Sequence, residues 1–138
     1  MILCDTSVLL CLVDRSQLRH ASCIRAIVNL RKPLVTTWPC LTEAMHLALR
    51  SGGWPMQRQL GELLLDGWLT AYAIDEDLFP RILELMERYR DRPMDFADAS
   101  LVLVAERTGY RQILTLDSDF FFYRIDGRES FEVLPVDG

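Results

Sequence analysis

The chain opens with Met1-Ile-Leu-Cys-Asp-Thr-Ser7, in which a short apolar run ends at an acidic residue, and this segment is the best guide to the fold. An uninterrupted apolar run of this kind predicts a strand buried on both faces, which is typical of a parallel sheet. A helical run from Val8 to Val13 follows, and Thr6 or Ser7 is expected to cap it. A strand that leads directly into a helix indicates an α/β protein.

The same alternation continues to the end of the chain. Further strands are predicted at Leu34–Thr37, Trp68–Ile74, Arg111–Leu116 and Phe131–Pro135. Further helices are predicted at Leu18–Leu30, Pro39–Arg50, Met56–Leu65, Glu76–Tyr89 and Phe96–Thr108. Asp75 and Asp95 precede the last two helices and are expected to cap them. This order predicts an α/β sandwich around a mainly parallel sheet.

Length and composition are those of one globular domain, residues 1–138. Half of the 138 residues are hydrophobic and 25% are charged, which is enough apolar material for one core. The net charge of -5 argues against a protein that coats nucleic acid through a basic surface. It does not exclude a nuclease, because clustered carboxylates that hold cations would account for part of the negative charge.

The four cysteines and the apolar runs bear on location. No C-x-x-C pair occurs, and neither histidine stands at zinc-ligand spacing from a cysteine. The first apolar run is interrupted by Asp5, and no basic segment precedes it, so we expect neither a secretion signal nor a membrane span. Reduced cysteines are typical of the cytoplasm, which is the expected location.

Acidic residues recur at the ends of predicted strands and the starts of predicted helices. Asp5 follows the first strand, Asp117 and Asp119 follow the strand that ends near Leu116, and Glu43 and Asp98 lie early in helices. The carboxyl ends of parallel strands form one crevice, so these carboxylates are expected to converge. Clustered carboxylates repel one another unless cations lie between them. An all-oxygen set favours Mg²⁺ or Mn²⁺ over Zn²⁺.

Each acid also has a local explanation. Asp5 can serve as a turn or cap residue, and the helix dipole alone favours an acid at Glu43. Asp95 is a credible N-cap with Asp98 at the third helical position. Capping explains Asp98 less well, because the segment around it is otherwise apolar and a lone buried carboxylate is costly. A shared metal centre accounts for all of these positions together, whereas each local explanation accounts for one.

Two hydroxyl residues next to the first acid have a further possible role. Thr6 and Ser7 can orient Asp5 or a bound water through their hydroxyl and backbone N–H groups. Divalent ions in such a centre commonly serve phosphoryl chemistry, in which they polarise the phosphate and lower the pKa of a water.

Taken together, these segments resemble the PIN-domain family, and specifically VapC-like toxins of type II toxin–antitoxin pairs. The resemblance is carried by Asp5-Thr-Ser7, the helix of Glu43, the segment Met94-Asp-Phe-Ala-Asp-Ala-Ser-Leu101 and Leu114-Thr-Leu-Asp-Ser-Asp-Phe120, which occur in the family's order. It implies a three-layer α/β/α sandwich with a sheet of four to five strands. It also implies a Mg²⁺- or Mn²⁺-dependent endoribonuclease that hydrolyses RNA phosphodiester bonds with a metal-activated water.

The resemblance assigns roles to the acids. Asp5, Glu43, Asp98 and Asp117 correspond to the family's acidic quartet. Asp5 and Asp98 would be central metal ligands, with Asp117 or Asp119 as a further ligand; the sequence leaves that choice open. Thr6, Ser7, Asp95 and Thr115 would orient or cap the residues of this centre.

Partners are implied as well. The family cuts structured or single-stranded RNA, often tRNA or ribosomal RNA, forms homodimers and is silenced by a cognate antitoxin protein. The aromatic and arginine cluster nearest the acids in sequence supplies the predicted RNA contacts Arg111, Arg124 and Arg128. The alternative reading of this cluster is a set of core aromatics with solvated arginines.

Two other functions fit the same residues. A PIN-like nuclease in RNA maturation or quality control would act without an antitoxin. A binding module that had lost its metal would have no activity, but the acidic set of this chain is intact, which argues against that reading.

Overall fold

The computed structural model describes residues 1–136, and its centre is a parallel sheet. Five strands pair in the order β3-β2-β1-β4-β7, each parallel to its neighbour. They are β1 (Ile2–Cys4), β2 (Leu34–Thr37), β3 (Leu69–Tyr72), β4 (Gln112–Leu114) and β7 (Glu132–Val133). A separate antiparallel hairpin joins β5 (Arg124–Ile125) to β6 (Glu129–Ser130). The predicted mainly parallel sheet is confirmed, whereas the sequence did not indicate the hairpin.

Five α-helices cover the sheet. They are α1 (Thr6–Val13), α2 (His20–Leu30), α3 (Trp38–Leu65), α4 (Phe79–Arg88) and α5 (Phe96–Thr108). Because parallel crossovers are right-handed, the strand order places α1, α2 and α3 on one face and α4 and α5 on the other. The contacts of α1 with α2 and α3, and of α4 with α5, agree with these two layers. The sandwich is therefore the expected three-layer one.

Two local predictions are wrong. Asp5, not Thr6 or Ser7, caps α1: it has the extended backbone of an N-cap residue, and its carboxylate accepts the N–H of Val8 at 3.2 Å, whereas Thr6 is already the first residue of the helix. The predicted interruption after Ser51-Gly-Gly53 is present, because the backbone of Gly53 is non-helical (φ 71°, ψ -162°) and divides α3 into two helical parts. Asp75 makes no side-chain cap bond, and a 3₁₀ turn at Glu76–Leu78 precedes α4.

The core explains why β1 decides the fold. Ile2, Leu3 and Cys4 are completely buried, with β2 on one side and β4 on the other. Cys4 is level with Leu114 of β4, and the N–H of Asp5 donates to the Leu114 carbonyl at 3.3 Å. This register brings the residues that follow β1 and β4 close together at the carboxyl ends of the strands.

Within residues 1–136, no helix combines the length and the apolar character that crossing a membrane requires.

Candidate metal centre

Asp5 is anchored in a closed hydrogen-bond network at the end of β1. The Ser7 hydroxyl donates to its Oδ1 at 2.6 Å, and the Val8 N–H donates to the same oxygen at 3.2 Å. The Thr115 hydroxyl, which lies just beyond β4, donates to Oδ2. Burial raises the pKa of Asp5 from 3.8 to about 6, against the lowering effect of the Ser7 and Thr115 hydrogen bonds. The charge of Asp117 raises it further.

Asp98 lies at the third position of α5, where Asp95 prepares the helix start. Asp95 caps α5 by accepting the N–H of Asp98 at 2.8 Å. The residues of α5 from Ala99 to Ala105 are buried, whereas Asp98 is half-buried beside Asp117 and Asp119. Tyr123, a completely buried side chain, donates its hydroxyl to Asp98 Oδ2 at 3.1 Å.

The surroundings of Asp98 disfavour its charged form. Burial raises the pKa of Asp98 from 3.8 to about 7, and the charge of Asp95 raises it further. The hydrogen bond from Tyr123 acts in the opposite direction, while the charges of Asp117 and Asp5 add to the increase. The neighbours of Asp98 therefore disfavour its charged form, which a bound cation would favour.

Asp117 and Asp119 come from the turn that follows β4. The N–H of Asp117 donates to the Thr115 hydroxyl at 2.9 Å, and Asp117 Oδ1 accepts the N–H of Asp119 at 2.9 Å. Asp119 Oδ1 also accepts a charged hydrogen bond from Arg92 at 3.2 Å. The backbone of the turn therefore fixes the carboxylate of Asp117, and Arg92 orients that of Asp119. Both carboxylates follow β4, as Asp5 follows β1, so they lie at the same end of the parallel strands.

The carboxylates of Asp98, Asp117 and Asp119 form one group. One oxygen of each lies within 4.8 Å of the others, and all three side chains are half-buried. Hard divalent cations such as Mg²⁺ and Mn²⁺ take such oxygen donors, so the donor set and the raised pKa of Asp98 fit a divalent ion. The structure thus brings together residues that are 21 positions apart (98 to 119) into an acidic cluster that can bind a metal.

The remaining predicted site residues are placed as follows. Glu43 is exposed on α3 and is not part of the group of three acids. Thr6 donates its hydroxyl to the Cys40 carbonyl at 3.3 Å and so links α1 to α3. Ser7 contacts Asp5 and also accepts the N–H of Leu116 at 3.0 Å, which ties the turn after β4 to α1.

The three predicted RNA-contact arginines all border the β5–β6 hairpin. Arg111 precedes β4, at the sheet edge opposite the acids, and pairs with Glu129 at 3.5 Å. Arg124 uses its Nη1 to bind the carbonyls of residues 121, 122 and 123 at 3.0 to 3.1 Å. Arg128 is exposed in the turn of the β5–β6 hairpin. The aromatic segment between them is divided: Phe120 and Tyr123 are buried, whereas Phe121 and Phe122 are exposed.

Sequence reasoning missed two residues that contact the centre. Neither Tyr123 nor Arg92 is among the site residues predicted from the sequence. Tyr123 is 25 residues from Asp98, and Arg92 is 27 residues from Asp119, so neither contact has a local signal. The one hint is the composition of the sequence, because a tyrosine and several arginines lie near Asp98 and near Asp119 along the chain.

Comparison with known proteins gives consistent likenesses over nearly the whole chain. A family model described as the PIN domain matches residues 2–128. Ribonuclease VapC26 of Mycobacterium tuberculosis is 31% identical over 133 residues, which is 95% of this chain and 98% of that protein. The crystal structure of VapC20 from the same organism, a toxin that cleaves the sarcin–ricin loop, has a TM-score of 0.77 at 24% identity. That match covers 86% of this chain and 92% of the VapC20 chain.

Proposed function

This chain belongs to the PIN-domain family and is VapC-like within it, and on that premise we propose that it is a metal-dependent endoribonuclease. It hydrolyses RNA phosphodiester bonds and is the toxin of a type II toxin–antitoxin pair. One observation carries the proposal. Three carboxylates lie within 4.8 Å of one another at the edge of the sheet, where the pKa of Asp98 is raised to about 7.

We assign the ion as Mg²⁺ or Mn²⁺, because every donor in the group is a carboxylate oxygen. Asp98, together with Asp117 or Asp119, would hold it, and Asp5 would complete the set, since the charge of Asp117 acts on both Asp5 and Asp98. Such an ion, when bound, supplies a Lewis acid for phosphodiester hydrolysis. Glu43 would contribute from α3, on whose exposed surface it lies.

The protein's own residues prepare this site. Ser7 and Thr115 hold the Asp5 carboxylate at a fixed position, and Tyr123 holds one oxygen of Asp98. Their hydrogen bonds favour the charged carboxylates that a cation requires. Asp95 keeps the start of α5 in place by capping it.

The substrate class is RNA, with tRNA or ribosomal RNA as the expected targets, and the domain comprises residues 1–138. A homodimer and a cognate antitoxin are the proposed protein partners. Two separate areas of exposed apolar side chains support this, because exposed apolar patches commonly mark interaction sites. One area surrounds Phe79 and Phe96, whose ring centroids are 5.9 Å apart, with the exposed Trp38 nearby. The other is a groove of about 180 Å³ that includes Ile24, Val28 and Trp68.

The test is cleavage of total cellular RNA by the purified protein, with end-mapping of the products. We expect Asp98→Asn, and chelation by EDTA, each to lower cleavage by about a thousandfold, because a catalytic metal contributes several kcal/mol. The matched control is Asp66→Asn, which makes the same chemical change at an exposed residue beyond the far end of α3. Full activity of Asp98→Asn, or of the wild type in EDTA, would refute the proposal.

Growth after induced expression tests the toxin assignment separately. The wild type should arrest growth and Asp98→Asn should not, while Asp66→Asn should behave as the wild type. RNA cleavage in vitro without growth arrest would instead favour a nuclease of RNA maturation that acts without an antitoxin.

A further inference from the structure

An arginine that no part of the proposed chemistry uses lies directly beside the acidic group. Arg92 belongs to the loop between α4 and α5, and its guanidinium carbon lies 3.4 Å from the centroid of the Phe122 ring. Its Nη1 donates to Asp119 Oδ1 at 3.2 Å. The three residues form a stacked and hydrogen-bonded unit, called here the Arg92 clamp, at the rim of the crevice.

The loop that carries the Arg92 clamp is itself fixed. The N–H groups of Arg92 and Met94 both donate to the Tyr89 carbonyl, at 2.9 and 3.3 Å. The Tyr89 ring packs edge-on against Tyr123 with centroids 5.1 Å apart, and the Tyr89 hydroxyl accepts the N–H of Arg124 at 3.0 Å. The loop is thereby joined to the segment that holds Asp98. A side chain restricted in this way loses little conformational freedom when it binds a ligand.

The Arg92 clamp is poorly explained as a device for stability. The side chain of Arg92 is 39% exposed and Phe122 is 52% exposed, and an ion pair at such exposure contributes little. The guanidinium has five N–H donors, of which Asp119 takes one among the contacts within residues 1–136. By comparison, Arg81 is engaged by Glu106 and Glu84, and Arg124 by backbone carbonyls.

The positive charge of Arg92 lies where RNA phosphates would approach the acidic group. RNA phosphates are repelled by three clustered carboxylates, and the protein as a whole carries a net charge of -5. A planar guanidinium binds phosphate through two parallel hydrogen bonds, and it can do so while one N–H stays on Asp119.

We propose that Arg92 is a substrate-binding residue that contacts an RNA phosphate next to the bond that is cut. Phe122 holds the guanidinium flat against its ring, and Asp119 orients it from the side. The inference rests on the proposed function and adds a phosphate subsite to it. It also assigns Asp119 to substrate binding through Arg92, which leaves Asp117 as the ligand from the turn after β4.

The experiment measures RNA binding separately from cleavage. Each variant is made in the Asp98→Asn background, and its affinity for a fluorescein-labelled single-stranded RNA of random sequence is followed over a salt series. Arg92→Gln should weaken binding about tenfold. It should also lower the slope of log affinity against log salt by about 0.7, the value for one phosphate contact on a single strand. The matched control is Arg90→Gln, an exposed arginine two residues away that pairs with Glu87, and it should change neither quantity.

Two further variants distinguish charge from geometry. Arg92→Lys keeps the charge, so the salt slope should stay while affinity falls, because lysine lacks the planar pair of donors. Phe122→Leu leaves Arg92 in place without its ring and should weaken binding with the salt slope retained. These two variants decide the question if Arg92→Gln fails to fold.

The outcomes separate this inference from the proposed function. Equal affinity and equal slope for Arg92→Gln and Arg90→Gln overturn the phosphate subsite even if the wild type cuts RNA. Parental affinity in both Arg92→Lys and Phe122→Leu overturns it as well. If the wild type neither cuts RNA with Mg²⁺ nor binds it in a salt-dependent way, the proposed function fails, and the subsite fails with it.

Discussion

Asp5 and Asp98 lie in the same crevice but are held in opposite ways. Asp5 is buried, and its two oxygens receive hydrogen bonds from Ser7, Val8 and Thr115. Asp98 is half-buried and receives one hydrogen bond to its side chain among the described residues, from Tyr123. It also lies beside two further carboxylates.

The difference lies in how far the protein's own hydrogen-bond donors stabilise the charged form of each carboxylate. Burial raises the pKa of both acids, but at Asp5 three protein donors oppose that effect. At Asp98 one donor opposes burial, while the charges of Asp95, Asp117 and Asp5 add to it. Asp5 is therefore part of the scaffold, whereas the charged form of Asp98 has little support within the described residues, and the proposed cation would supply it. Four experiments test this contrast.

The largest effect on stability is expected at Asp5. Asp5→Ala removes the cap of α1 and the acceptor for the hydroxyls of Ser7 and Thr115, which should lower the free energy of unfolding by about 2–3 kcal/mol. Asp98→Asn keeps an acceptor for Tyr123 and removes a repelled charge, so the metal-free protein should be as stable as the wild type or more stable. Urea unfolding in EDTA measures both. Equal destabilisation by the two variants would remove the contrast.

The next effect concerns the residue that links the two strand ends. Thr115→Val deprives Asp5 Oδ2 of its donor and the N–H of Asp117 of its acceptor, at a buried position. We expect a loss of about 2 kcal/mol in the free energy of unfolding. Thr70→Val, the same change at an exposed residue of β3, is the control and should have little effect. A similar loss in both variants would mean that Thr115 matters only as part of a strand end.

The third effect is a dependence on pH with a definite sign. The pKa values of Asp5 and Asp98 are raised from 3.8 to about 6 and about 7. Their contribution to stability in the metal-free protein is thus fully present below 3.8 and is lost as the pH rises through both raised values. A cation requires the charged forms, so its affinity should rise with pH, by up to about tenfold per unit for each proton displaced.

Calorimetric titration with Mn²⁺ between about pH 5 and about pH 8 checks this sign. Asp98→Asn is the informative control, because it removes the group with the higher pKa and should flatten the upper part of the profile. An affinity that does not change over this range in the wild type would contradict the electrostatic account of the site.

The smallest effect is expected at Tyr123. Tyr123→Phe removes the donor to Asp98 but keeps the buried ring between Tyr89 and Phe120. Cation affinity near neutral pH should fall about fivefold, equivalent to about 1 kcal/mol, because the charged form of Asp98 loses its one hydrogen bond. Tyr110→Phe, at a half-buried tyrosine outside the crevice, should change nothing. Unchanged affinity in Tyr123→Phe would show that Asp98 needs no donor to be positioned.

Much of the fold was predictable because its signals are local. The apolar runs of β1 and β2 and the extent of α5 were predicted almost to the residue, since each is bounded by a cap, a proline or a glycine. The interruption of α3 was also predictable, because Ser51-Gly-Gly53 is a typical helix end and Gly53 has a non-helical backbone (φ 71°, ψ -162°). The β5–β6 hairpin was missed because its strands are two residues each and have no alternation to detect.

The candidate site was also predictable only in part. The convergence of acids that follow strands was predictable, because the strands of a parallel sheet all have their carboxyl ends on the same side. Which of them meet was not visible: Glu43 is exposed apart from the group of three, and Arg111 lies at the opposite edge. The hydroxyl of Thr115 reaches Asp5 across 110 residues of sequence.

The alternation of strands and helices, and the carboxylates that follow the strands, could be predicted from the sequence alone, because periodicity and caps act over a few residues. The three donors to Asp5, the one donor to Asp98 among the described residues, and the stacking of Arg92 on Phe122 beside Asp119 follow from the tertiary structure. These facts depend on strand register and on the packing of one loop against another. Both are set by contacts between residues far apart in the chain, and those contacts give each acid its own charge environment.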